Sequence, residues 1–150
     1  MLKVGATAPE FSAETDGGEK IKLKDLRGKK VVLYFYPKDN TPGCTTEACA
    51  FRDSYQKFQK KGTVILGVSP DSVKSHDNFK RKFELPFPLV SDPEHQIAEA
   101  YGVWVEKSMY GRKYMGIERA TFVIDEQGKI DEIYRKVKVA GHIDDVLSKV

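Results

Sequence analysis

Val31-Val32-Leu33-Tyr34-Phe35-Tyr36 is an unbroken apolar and aromatic run, too short for a typical helix and rich in β-forming residues. It predicts a central strand buried on both faces, as in a parallel sheet covered by helices. Thr63-Val64-Ile65-Leu66-Gly67-Val68 and Ala120-Thr121-Phe122-Val123-Ile124 repeat the pattern. Asp125 to Gly128 then makes a turn, and the alternation from Lys129 to Arg135 predicts a neighbouring antiparallel strand. Ile21 and Leu23, two apart, suggest a short strand near the start.

Between these runs the period changes. From Cys44 onward Ala48, Phe51, Tyr55 and Phe58 recur at helical steps, predicting a helix that ends near Gly62. Val73, Phe79 and Phe83 outline a second helix. Asp92-Pro93 reads as an N-cap with proline at the first helical position, Ile97, Ala98 and Tyr101 as the apolar face, and Gly102 as the stop. Ile143, Val146, Leu147 and Val150 form a last amphipathic helix, whose first-turn Asp144 and Asp145 suit the helix dipole. Lys107 to Gly116 reads as a long polar and aromatic loop. Strands alternating with helices imply an α/β fold with a mostly parallel central sheet.

The length of 150 residues fits one domain, 1–150, without internal repeat or linker. Such a chain buries roughly 70% of the surface it exposes when unfolded, so it needs no disulfide staples. The net charge of +3, from 25 Lys+Arg against 22 Asp+Glu, is spread along the chain. That distribution gives no case for nucleic acid or membrane as partners. No run of about 18 apolar residues is present. Met1 to Pro9 lacks a long apolar core and reads as mature protein, so the expected location is cytoplasmic. Thiols are kept reduced there, and the two cysteines are either inert core residues or redox groups. His76, His95 and His142 are scattered on polar stretches, with no spacing that suits a metal site. Trp104, Tyr110 and Tyr114 with Lys107, Arg112 and Lys113 fit a solvated loop near the active site better than a nucleic-acid surface.

The sharpest feature is the stretch from Tyr36 to Cys49, YPKDNTPGCTTEAC. A buried strand ends at Pro37 and a helix begins near Thr41, beyond the carboxyl end of the strand, where open α/β sheets bind ligands. Thr41 is a good N-cap, Pro42 fits the first helical position, and Cys44 falls at the third. The first turn of a helix offers unpartnered backbone N–H groups and roughly half a positive charge, and both favour a thiolate over a thiol. An ordinary free cysteine is only about 3% thiolate at pH 7, and the thiolate is the nucleophile. Cys49 lies five residues on, so in a helix the two Cα atoms sit about 8.7 Å apart. A disulfide requires about 4.4–6.8 Å. The two can bond only if the first turns unwind after Cys44 is oxidised to a sulfenic acid. The spacing alone leaves open that Cys49 is a buried structural thiol.

Pro37-x-x-x-Thr41-x-x-Cys44 matches the active-site signature of peroxiredoxins, and Thr41 to Cys49 resembles their Q-type, or bacterioferritin-comigratory, branch. The likeness covers nearly the whole chain, including GATAPEF from Gly5, GVSPD from Gly67, LPFPL from Leu85 and RATFVID from Arg119. The resemblance implies a thioredoxin-like fold, a central mixed sheet flanked by helices. It also implies reduction of hydrogen peroxide and organic hydroperoxides without metal or bound cofactor. By that likeness Cys44 is the peroxidatic and Cys49 the resolving cysteine. Thr41 would hydrogen-bond the peroxide oxygen or the thiolate, Pro42 would shield the sulfur, and Arg119 would reach the pocket from the start of a core strand. Electrons would return from thioredoxin or a similar dithiol protein. With both sulfurs in one helix no second subunit is required, so a monomer is expected. Two rival functions remain: a disulfide oxidoreductase, which more often has two residues between its cysteines, and a non-catalytic thiol redox sensor.

Overall fold

The computed structural model describes residues 2–150. Two short strands, β1 (Ser12–Glu14) and β2 (Lys20–Lys22), pair antiparallel near the N-terminus. Leu23 does not extend β2 but starts a 3-10 turn, Leu23–Leu26. The main sheet then opens with β3 (Lys30–Phe35), followed by α1 (Pro42–Asp53), α2 (Tyr55–Lys60), β4 (Thr63–Ser69), α3 (Val73–Phe83) and β5 (Leu89–Ser91). The chain continues through α4 (Gln96–Ala100), β6 (Trp104–Met109), β7 (Arg112–Ile117), β8 (Ala120–Ile124), β9 (Ile130–Tyr134) and α5 (His142–Lys149).

The five-stranded sheet runs β5-β4-β3-β8-β9. β3 is central, as its apolar run predicts, with β4 parallel on one side and β8 antiparallel on the other. The expectation of a mostly parallel sheet is corrected: β4–β5 is parallel, but β8–β9 is antiparallel. The chain enters β8 from the β6–β7 hairpin rather than through a helical crossover, and a tight turn leads to β9. The overall arrangement is the mixed, helix-flanked sheet of a thioredoxin-like fold.

Alternation along β3 builds two cores. Val31, Leu33 and Phe35 face a cluster with Leu66, Val68, Tyr101 and Phe122, and α4 contributes Ile97 and Ala98. Val32, Tyr34 and Tyr36 face the other cluster, where α1 supplies Cys44, Ala48 and Phe51, α3 Phe79, and α5 Ile143 and Val146. Successive side chains of a strand point to opposite faces, so one six-residue run anchors both helical layers. Tyr34 stacks on Phe51, ring centroids 4.6 Å apart. It lies across Gly67 of β4, its register partner. A Cβ at Gly67 would meet the Tyr34 ring at 2.9 Å, so the glycine makes room for the tyrosine.

Three local expectations are revised. Lys107 to Gly116 is not a loop but the β6–β7 hairpin, turning at Tyr110-Gly111, both with positive φ (52° and 77°). A two-residue hairpin turn of this kind matches the twist of its strands. Most of its residues are exposed or half-buried, so no apolar alternation marks it as strand. The helix expected at Asp92-Pro93 begins instead at Gln96, with His95 left-handed before it. The Asp92 carboxylate still caps it from a distance, accepting from the backbone N–H groups of Ile97 (3.2 Å) and Ala98 (3.0 Å). The long helix from Thr41 breaks at Ser54 into α1 and α2 before Gly62 turns the chain (φ 65°). Among the described residues no helix is long and apolar enough to cross a membrane.

Candidate active site

β3 delivers the chain to the segment Pro37–Thr41, and the segment is tied down before α1 starts. Asp39 is its anchor. Its backbone N–H donates to Asp71 (2.8 Å), and its carboxylate accepts from Tyr36 Oη (2.6 Å) and Ser75 Oγ (2.8 Å). His76, although on a polar stretch of sequence, is wholly buried and places Nδ1 2.7 Å from Asp39 and Nε2 2.9 Å from the Val90 carbonyl. Both ring nitrogens thus face oxygen atoms, an arrangement that favours the doubly protonated ring. Burial opposes that charge, but the hydrogen bond and the negative charge of Asp39 outweigh it and raise the His76 pKa. His142 is buried as well, bonded to Thr121 (2.8 Å), and His95 stacks on Trp104. Asp39, Asp71 and His76 lie close enough to hold a cation. Their donor atoms are already engaged with one another and with Tyr36, Ser69 and Ser75.

Thr41 occupies the N-cap position of α1 with extended backbone, Pro42 is the first helical residue, and Cys44 is the third, as expected. The expected side-chain cap does not form: the Thr41 hydroxyl donates instead to the Lys38 carbonyl (2.9 Å). Cys44 is 2% exposed. Cys49, on the same unbroken helix, is half-buried, and both thiols are free.

Arg119 comes just before Ala120 of β8, the strand next to β3, where Ala120 pairs with Phe35. It sits between β7 and β8, where Val137 N–H donates to its carbonyl (3.0 Å) and the adjacent Glu118 N–H donates to Val103 (2.8 Å). Its guanidinium forks over α1. Nη2 donates to Cys44 Sγ at 3.3 Å, and Nη1 donates to Glu47 Oε1 at 2.6 Å. A Cβ at Gly43 would stand 3.3 Å from Nη2, so the small residue lets the guanidinium approach the helix.

Glu47 was not singled out by sequence reasoning. The available signal was its spacing: three residues after Cys44 in a helix is the same face. Its side chain is fully buried, and Oε2 has no hydrogen-bond partner among the described residues. Burial pushes its pKa up to about 7, against the opposing charge and hydrogen bond of Arg119. Tyr34 also lies close: burial, then the charges of Glu47 and Cys44, raise its pKa well above the ordinary phenol value, and its hydroxyl has no partner among the described residues. Lys107 of β6 is a further cation near the site, its pKa lowered by burial and by Arg119, with Cys44 acting the other way.

One sulfur at a helix N-terminus, beneath a guanidinium that also grips a buried carboxyl, suits a thiolate nucleophile attacking an electronegative atom. The chain is also similar to known proteins. The pattern of the AhpC/TSA family matches residues 4–133. A putative peroxiredoxin bcp of Coxiella burnetii is 54% identical over 149 residues, covering 99% of each chain. Peroxiredoxin Bcp of Bacillus subtilis is 53% identical over 146 residues, 97% of this chain and 93% of that one. Among solved structures, a cysteine-to-serine variant of Xanthomonas campestris peroxiredoxin Q superimposes with a TM-score of 0.91 at 48% identity, covering 99% of this chain and 94% of that one. The bacterioferritin comigratory protein of the same organism, described by its alkyl peroxide reduction activity, superimposes at 0.90 with 47% identity and the same coverage.

Proposed function

Because the chain belongs to the AhpC/TSA family and is a peroxiredoxin of the Bcp type, a thiol peroxidase, we propose that Cys44 is its peroxidatic sulfur and Cys49 its resolving one. The observation that carries the assignment is the 3.3 Å contact from Arg119 Nη2 to Cys44 Sγ in the first turn of α1. In the proposed reaction the Cys44 thiolate attacks the nearer oxygen of the peroxide and the O–O bond breaks. The sulfur is oxidised to a sulfenic acid, and the departing oxygen takes a proton to leave as water or an alcohol. Negative charge moves from sulfur to oxygen in this step. Arg119 is fixed, always charged and able to donate to both. Backbone N–H groups of the first helical turn add donors at no cost in reorganisation. Thr41 would turn its hydroxyl from Lys38 to the peroxide, and Pro42 would keep water from the sulfur.

Cys49 then attacks the sulfenyl sulfur, the S–O bond breaks, and water leaves as the disulfide forms. Within intact α1 the sulfurs cannot meet, so this step needs local unwinding. A dithiol protein such as thioredoxin would reduce the bond by thiolate exchange. Hydrogen peroxide and organic hydroperoxides are the proposed substrates, the second supported by the alkyl peroxide reduction named for the Xanthomonas relative. A cytoplasmic monomer using no metal or bound cofactor suffices for this scheme.

The test is a coupled peroxidase assay with thioredoxin. Cys44→Ser is expected to abolish turnover, and Cys49→Ser to undergo one rapid oxidation and then stall. Substantial turnover by Cys44→Ser would overturn the assignment.

A further inference from the structure

We propose that Glu47 is a proton-controlled latch on the unwinding of α1 that lets Cys49 reach Cys44. The proposal rests on the reading of these cysteines as the peroxidatic and resolving pair, and adds what governs the step between them.

The argument starts from position. Glu47 lies between the two cysteines in the same helix. Any rearrangement that brings residues 44 and 49 within bonding distance disrupts the turn that carries it. The side chain passes from full burial to water. What this exchange costs depends on its charge. In the folded site Oε1 has Arg119 at 2.6 Å, but the buried Oε2 has no partner among the described residues. A protonated, neutral carboxyl fits such a place at a smaller penalty than a carboxylate, which leaves a buried charged oxygen without a donor. The groups around it do not remove the conflict. Arg119, from the segment before β8, divides its donors between Glu47 and Cys44. Tyr34 of β3 adds an un-ionised phenol, and Cys44 itself adds negative charge when it is a thiolate. Asp39, on the loop before α1, is a further negative charge felt at Tyr34. Lys107 of β6 lies nearer the Arg119 side.

The sign follows from linkage. Folded, the Glu47 carboxyl binds a proton up to about pH 7; unwound into water it returns to its ordinary value of 4.5. Stability contributed by the protonated group is full below the lower value and is lost as pH rises toward the higher one. Unwinding therefore becomes easier with rising pH, and the change levels off above about pH 7. Between pH 6 and pH 8 these two values raise the unwinding equilibrium roughly tenfold. In acid the latch stays shut, and the sulfenic acid remains longer within reach of a second peroxide.

The experiment follows disulfide formation after one equivalent of hydrogen peroxide, by rapid quench and mass spectrometry, in wild type and Glu47→Gln from pH 6 to 8. A pH effect common to both proteins cancels in the ratio of the two rates, which is the readout. The wild-type rate relative to Glu47→Gln is expected to rise about tenfold across this range. A ratio that stays constant while the disulfide forms normally would overturn the latch and leave the cysteine assignment standing. Absence of any Cys44–Cys49 bond in either protein would remove both. Hydrogen exchange in Cys44→Ser, which keeps Glu47 and has no residue-44 thiol to titrate, gives a second measure that needs no Glu47 variant. Protection of the amides from Gly43 to Ala48, corrected for intrinsic exchange, should fall about tenfold from pH 6 to 8. Protection unchanged with pH would likewise overturn the proposal.

Discussion

Replacing Arg119 by lysine keeps the charge and removes the fork. The guanidinium spans two acceptors at once, Cys44 Sγ at 3.3 Å and Glu47 Oε1 at 2.6 Å, from a side chain only 18% exposed. A single ammonium on a flexible stem cannot reproduce both contacts in that plane. The shorter bond, to the buried carboxyl, is the one lysine is expected to keep, because leaving Glu47 without a cation is the costlier choice. The Cys44 sulfur is then left without its charged donor. A hydrogen bond to a charged group contributes about 1.5–3 kcal/mol, which corresponds to roughly ten- to 150-fold in rate. The assay is stopped-flow oxidation of the reduced protein by hydrogen peroxide, read as the second-order rate constant, with urea unfolding as a control. Arg119→Lys should fold with near wild-type stability and react about ten- to 150-fold more slowly. A rate constant equal to wild type in a well-folded Arg119→Lys protein would refute the idea that the fork, rather than the charge alone, drives the oxidation.

The remaining expectations concern the scaffold. His76→Asn breaks a buried ion pair and should cost about 3 kcal/mol in urea unfolding. Because the native pKa of His76 is raised, the wild-type advantage should be full below about pH 6.5 and shrink as pH climbs through the raised value; an advantage that instead grows with pH would contradict the charged ring. Phe51→Ala removes a fully buried ring stacked on Tyr34 and should cost about 3–5 kcal/mol by the same measurement. Gly67→Ala places a methyl 2.9 Å from the Tyr34 ring and should cost about 1–3 kcal/mol, with a cost near zero showing that the ring has room to move.

Much of the architecture follows from the chain alone. A six-residue apolar run can be buried only between two layers, so β3 is central whatever surrounds it. The helix start at Thr41-Pro42 is equally local, because proline fixes φ and gives up an N–H that has no partner there anyway. With that start fixed, Cys44 falls in the first turn and Cys49 beyond bonding reach. The β6–β7 hairpin was hidden for the opposite reason: with much of both faces in water, no periodicity records it as a sheet. Helix α4 was displaced because Asp92 caps through its side chain from several residues away, which adjacency in sequence does not reveal.

The site itself is mostly a tertiary product. Arg119 is 75 residues from Cys44 along the chain, and among six arginines only the resemblance to peroxiredoxins singled it out. The pairing of β3 with β8 is what sets its guanidinium over α1. Glu47 reads in sequence as an ordinary helical glutamate; its full burial and its oxygen without a partner exist only once the sheet, α1 and Arg119 close around it. The histidines teach the same lesson, since a short polar stretch around His76 gives no hint that Asp39 and the Val90 carbonyl wait on either side of its ring. Patterning along a chain records which face of an element is buried. It does not record which distant group will meet that face, and that meeting decides charge, proton affinity and reactivity.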